Sequence, residues 1–161
     1  AIKIALDLKI SKKEIEKTIP NITLPGRYDY LKKGNIKKML HKNEMIMIDG
    51  AHAPADSLNL FNYLKTIKLP IYGVWAMSKN KEPELFIKNL KGIFKKIVTI
   101  PIENESSVSA KELNKIANNN KIKSETAQNF KEALKKISSN EKKIICCFGS
   151  LYFCSNILNK N

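Results

Sequence analysis

The sequence predicts an α/β fold, a Rossmann-like three-layer domain on a mostly parallel sheet. Two observations carry this. The runs Ile46–Ile48, Ile71–Val74 and Ile144–Phe148 are almost unbroken apolar stretches, the mark of strands covered by helices on both faces. Between such runs lie segments of helical periodicity, so strand and helix alternate as in βαβ units.

In chain order, residues 2–19 read as one or two short helices broken near Ser11, an N-cap with Glu14 three residues on. Pro20 and Pro25 end that pattern. A short strand near Arg27–Leu31 is expected to turn at Lys33-Gly34 into another near Ile36–Leu40. The alternation then begins: strand Met45–Asp49 with helix Ala55–Ile67, strand Ile71–Met77 with helix Pro83–Phe94, and strand Ile97–Ile102 with helix Ala110–Asn118. That last helix is capped by Ser109, with Glu112 at the capping-box position. A strand near Ile122–Glu125 leads to helix Phe130–Ser138, and strand Lys143–Phe148 to helix Leu151–Leu158.

The chain has 161 residues, 43% hydrophobic and 27% charged, which fits one globular domain with a substantial core. No apolar run reaches the roughly 20 residues of a membrane span, and the amphipathic, charged N-terminus has no signal-peptide form. The expected location is therefore cytoplasmic. Opening without methionine and in a helical pattern, the sequence is expected to be a fragment. Cys146, Cys147 and Cys154 are odd in number and lack zinc spacing, so buried free thiols are expected, the adjacent pair on opposite faces of a strand.

A net charge of +14 raises nucleic acid as a partner. Of the 29 basic residues, however, 28 are lysines scattered over every helix, and Arg27 is the sole arginine. Base reading leans on arginine, and single-strand binding on aromatic platforms; neither pattern is present. No specific nucleic acid and no membrane are expected as partners.

Ligands of an open parallel sheet bind beyond the carboxyl ends of its strands. There the sequence places Asp49-Gly50-Ala51-His52, then Ala76 to Lys81, then Gly149-Ser150. Asp49, the first polar residue after an apolar strand, is placed either to accept from a ribose diol or simply to cap the turn. His52 precedes a helix N-terminus, where an anion is favoured, or is a solvated loop residue. Gly149-Ser150 offers a hydroxyl and backbone N–H groups to a carboxylate, and is equally an ordinary N-cap. Arg27 after Pro25-Gly26 provides a planar, bidentate donor that suits phosphate. Neither G-x-G-x-x-G nor G-x-x-x-x-G-K-[ST] occurs, so any ATP must be held from the base, ribose or outer-phosphate side with help from elsewhere.

Taken in order, LPGR, MIDGAHAP, GVWAMSKNK and CFGSLYF resemble the C-terminal domain of folylpolyglutamate synthase/dihydrofolate synthase, in the Mur ligase superfamily. The family pattern runs WPGR, DGAHNP, a strand ending in A-M-x-x-D-K-D, and FGSLY. The resemblance covers residues 25–158 and implies a Mur ligase C-terminal domain at 25–161. It makes 1–24 the helical end of a preceding ATPase domain, which would carry the P-loop and the metal ligands.

The activity so implied is ATP-dependent addition of L-glutamate to folate or dihydropteroate through an acyl phosphate, with ATP and Mg2+ as cofactors. The isolated chain should be inactive. The resemblance also implies site roles: Arg27 on ATP phosphates, Asp49 on the ribose, His52 beside the acyl phosphate and incoming glutamate, and Ser150 on the glutamate. Lys81 is a further candidate, and no metal ligand falls in this chain. Three departures are visible: Ala53 replaces the asparagine of DGAHNP, Asn80-Lys81-Glu82 replaces D-K-D, and Leu24 replaces the tryptophan. Glu103–Ser107 matches no part of the pattern. The competing readings are a basic nucleic-acid-binding α/β module, an inactive split-gene remnant and, within the superfamily, a cell-wall precursor ligase.

Overall fold

A computed structural model describes residues 2–22, 24–103 and 106–161. The parts of the 1–24 and Glu103–Ser107 expectations that fall on Ala1, Thr23, Asn104 and Glu105 lie outside the described residues. Six strands form one sheet: β1 Asp29–Tyr30, β2 Glu44–Asp49, β3 Ile71–Trp75, β4 Lys96–Thr99, β5 Ser124–Thr126 and β6 Lys143–Phe148. Their order across the sheet is β1-β2-β6-β3-β4-β5, with β1 antiparallel to β2 and every other pair parallel.

The strands are buried on both faces, as their apolar runs require. One face packs Met47, Trp75, Cys146 and Phe148 under helices α4 Pro54–Lys65, α5 Pro83–Lys88 and α6 Ala110–Asn119. The other packs Ile46, Ile48, Val74 and Cys147 under α7 Phe130–Ile137 and α8 Leu151–Lys160. Cys146 and Cys147 thus point to opposite faces, and all three cysteines are free and buried. Burial, the main cause, pushes the Cys154 thiol up to about 12, so it carries little thiolate reactivity.

At the N-terminus α1 Ile2–Asp7 and α2 Lys12–Thr18 break where Ser11 caps α2 in a full capping box with Glu14. Ile15 is the only residue of these two helices buried.

Three sequence expectations are corrected. Ile36–Leu40 is no strand: Asn35–Lys38 forms the short helix α3. Its exposed N–H groups are capped from the far end of the chain. The Ile36 N–H donates to Asn161 Oδ1 at 3.1 Å and the Asn35 N–H to the Asn161 carbonyl at 2.9 Å. Helix α5 stops at Lys88, well short of Phe94. Asn89 leaves it to donate to the Pro54 carbonyl (3.1 Å) and to Ser57 Oγ (2.9 Å), tying α5 to α4. Strand β3 ends at Trp75 and β4 at Thr99, shorter than expected by two and three residues. No helix among the described residues is long and apolar enough to cross a membrane.

Candidate functional site

The crevice lies where chain order breaks. Strand β2 leads over β6 to β3, and β6 later inserts between them, so their carboxyl ends form three adjacent edges. The register sets Asp49, Phe148 and Trp75 in one row across β2, β6 and β3. The residues just beyond that row are Gly50, Gly149 and Ala76, all buried.

Asp49 is almost fully buried. Its Oδ1 accepts from the Ala51 N–H at 2.8 Å and its Oδ2 from the Tyr28 N–H at 3.0 Å, while Arg27 Nη1 stands 4.0 Å from Oδ1. Burial raises its carboxyl above the ordinary aspartate value, and the two N–H groups and Arg27 offset this only in part. Each oxygen takes one N–H and so retains a lone pair for a further donor.

The loop carrying Arg27 is fixed by backbone contact. The Gly50 N–H donates to the Gly26 carbonyl at 2.7 Å. A Cβ at Gly50 would come 2.3 Å from Leu151 Cδ2, so a bare glycine lets the segments 26–28, 49–51 and 150–151 meet. Tyr28 adopts φ +46°, a conformation that bulky residues seldom hold, and its N–H reaches Asp49 from there. Arg27, Tyr28, Asp49, Ala51, Asp56 and Asn59 line a cleft of about 190 Å³.

The His52 ring lies between the Gly50 carbonyl and Asp56, whose Oδ2 is 3.9 Å from Nδ1. Its Nδ1 lies 2.8 Å from the Gly50 carbonyl, which only accepts, so Nδ1 carries the hydrogen and the neutral ring keeps its lone pair on Nε2. Ala53, the N-cap residue of α4, has no side-chain acceptor. Only half of a capping box remains: Asp56 Oδ2 accepts from the N–H of Ala53 (3.2 Å) and of His52 (3.3 Å).

Ser150 is buried and caps α8, its Oγ accepting from the Tyr152 N–H at 3.2 Å. Its hydroxyl stands 3.5 Å from that of buried Ser78. Lys81 is half-buried on the same loop as Ser78, tied there through its own N–H to the Ser78 carbonyl at 3.3 Å. Among the described residues its side chain makes no hydrogen bond or ion pair.

The structure therefore joins Arg27 with Asp49, sets His52 at the next turn, and places Ser150 with Ser78. Sequence reasoning passed over Tyr28 and Asp56, and placed Ser78 beyond its strand only as part of the stretch Ala76 to Lys81, with no role of its own. Asp56 was findable from its place three residues after the N-cap; Tyr28 carries no sequence signal of its own. Among the described residues no three His, Cys, Asp or Glu side chains gather as a metal site.

Solved structures share this fold. A bifunctional folylpolyglutamate synthase/dihydrofolate synthase from Yersinia pestis, complexed with AMPPNP and Mn ion, superposes with a TM-score of 0.74 at 17% identity, over 92% of this chain and 34% of that one. A Mycobacterium tuberculosis folylpolyglutamate synthase complexed with ADP and AMPPCP gives 0.75 at 17% identity, over 92% and 35%. A bifunctional folylpolyglutamate synthase/dihydrofolate synthase with Mn, AMPPNP and L-glutamate bound gives 0.74 at 17% identity, over 92% and 34%. The chain thus spans about a third of the length of these proteins. No curated protein matches the sequence. The family model described as dihydrofolate synthetase, C-terminal domain, matches residues 32–160, a stretch that holds Asp49, His52, Lys81 and Ser150 and starts five residues after Arg27. By that match over most of its length, the chain belongs to the dihydrofolate synthetase C-terminal domain family.

Proposed function

We propose that this chain is the glutamate-handling C-terminal domain of an ATP-dependent ligase that adds L-glutamate to folate or dihydropteroate. The observation that carries the reading is the Arg27–Asp49 pair: a cation beside a buried carboxylate with lone pairs to spare, at the carboxyl end of β2, next to the end of β6 that leads into Ser150. Residues 1–24, with one buried side chain in α1 and α2, are read as the end of a preceding ATPase domain. That domain would supply the P-loop and the ligands of the divalent ion that accompanies ATP.

In the reaction the γ-phosphoryl group of ATP passes to the substrate carboxylate, giving an acyl phosphate and ADP. The glutamate amine attacks the acyl carbon, and the tetrahedral intermediate expels phosphate and leaves an amide. Arg27 offsets charge on the phosphates as it shifts in the transition state. Asp49 accepts from ribose hydroxyls through its remaining lone pairs. The Nε2 lone pair of His52 takes a proton from the glutamate ammonium, which must lose one before it can attack. Ser150 accepts the Tyr152 N–H and still has its own O–H to give to a glutamate carboxylate.

The test is to read the DNA upstream of the codon for Ala1 in frame, express the extended product and measure ADP release that depends on L-glutamate. A P-loop upstream and glutamate-dependent turnover are expected, with His52→Ala lowering kcat by about a hundredfold or more. The isolated chain should turn over no ATP. An upstream frame without a P-loop, or ligation by the isolated chain, would overturn this reading.

A further inference from the structure

The indole of Trp75 is fully buried, and its Nε1 is the one buried side-chain nitrogen or oxygen among the described residues that lacks a hydrogen-bond partner. Folded chains rarely leave such a donor unpaired, because it has given up water and received nothing. Its position is specific. Trp75 ends β3, its ring nearly parallel to those of Phe148 (6.3 Å between centroids) and Phe86 (6.4 Å), which lie 6.0 Å from each other. The pyrrole edge meets Gly149: a Cβ built there would lie 2.7 Å from Cδ1 and 2.9 Å from Nε1. The free N–H therefore borders the turn that leads into the Ser150 cap and the ten-residue helix α8.

Two more groups at this turn are incompletely paired. The Ser78 and Ser150 hydroxyls are both buried, yet at 3.5 Å they are too far apart for a good O–H···O bond. Indole N–H, two hydroxyls and the Leu151 N–H at the start of α8 are all able to donate, and the helix end favours negative charge. What is missing is a compact acceptor.

We propose that the Trp75 indole N–H is a donor of the carboxylate subsite formed with Ser78 and Ser150, and that it binds a carboxylate of the incoming amino acid. This inference rests on the function proposed above. Trp75 is the chain's only tryptophan, so its indole gives a single N–H resonance that reports on this atom alone.

The experiment titrates L-glutamate into the 15N-labelled chain and follows that resonance, with Ser150→Ala and Trp75→Phe beside the wild type. Trp75→Phe keeps the stacked ring and deletes the donor. The expected result is a saturable downfield shift of the indole N–H, lost in Ser150→Ala, and an affinity about tenfold weaker in Trp75→Phe. If Ser150→Ala abolishes binding while the indole resonance stays fixed and Trp75→Phe binds like wild type, the inference fails and the Ser150 reading stands. If wild type and Ser150→Ala bind alike, or wild type does not bind, the carboxylate subsite itself is refuted. The wild-type resonance decides the matter even if Trp75→Phe does not fold.

Discussion

The two ends of the strand pair β2–β6 hold buried polar groups of opposite character. At the amino end Glu44 faces Lys143 in register, and both are fully buried, 3.3 Å apart. The Lys143 ammonium gives its other two hydrogens to the Ile137 carbonyl and Ser139 Oγ, each at 2.6 Å, and lies 4.8 Å from the centre of the Tyr72 ring. Glu44 also accepts from the N–H groups of His41 and Ser139, both at 2.9 Å, and from Ser138 Oγ at 3.0 Å. About 16 Å along the strand, Asp49 has two N–H donors and a distant arginine, and Trp75 Nε1 has no partner. Burial is similar at both ends; satisfaction is not. A saturated network holds the sheet together, whereas an unsaturated one leaves donors and acceptors without partners in the folded chain.

The largest effect should come from breaking the saturated end. Lys143→Met leaves the Glu44 carboxylate buried without its counter-charge, and such losses run to about 3–5 kcal/mol. Urea unfolding should show the midpoint falling accordingly, with the slope unchanged. A loss under about 1 kcal/mol would mean that the pair behaves like a surface salt bridge and that the contrast between the ends is false.

The next test sharpens the contrast through pH. At Glu44 burial raises the carboxyl, but the N–H groups of Ser139 and His41, the Ser138 hydroxyl and Lys143 outweigh it, so the folded value lies below the ordinary one. Its contribution to stability is full above the ordinary glutamate value and is lost as pH falls through the lowered folded value. Asp49 is held above its ordinary value. Its contribution is full below the ordinary aspartate value and is lost as pH rises through the raised folded value. Measured between about pH 3 and pH 7, Asp49→Asn should therefore gain stability relative to wild type as pH rises. Glu44→Gln should lose it. Slopes of the same sign would refute the contrast.

What the sequence disclosed follows from the same physics. Strands buried on both faces must be apolar throughout, so β2, β3 and β6 could be read directly, and with them the places where Asp49, His52 and Ser150 would emerge. What stayed hidden depends on partners distant in the chain. Helix α3 is capped by Asn161, more than 120 residues away in sequence. Helix α5 ends because Asn89 finds α4. Ser78 matters only because Gly149 lets β6 approach β3, and an orphaned Trp75 N–H has no sequence signature at all.

The smallest predicted effect bears on Ala53, where this chain departs from DGAHNP. The residue caps α4 without an acceptor, so Asp56 serves the N–H groups of His52 and Ala53 while those of Ala55 and Asp56 receive no side-chain cap. The substitution Ala53→Asn would offer a side-chain oxygen to the second or third N–H of α4, an exchange worth about 1 kcal/mol at an N-cap. Unlike Lys143→Met it should raise the unfolding midpoint, because it completes a half-made cap and breaks nothing. The same change sits one residue from His52, whose Nδ1 lies 2.8 Å from the Gly50 carbonyl and 3.9 Å from Asp56 Oδ2. If stability rises while the histidine ring resonances stay where they were, the alanine is a loss of helix capping alone. If those resonances move as well, the amide also sets the imidazole, and its absence reaches the chemistry of the crevice.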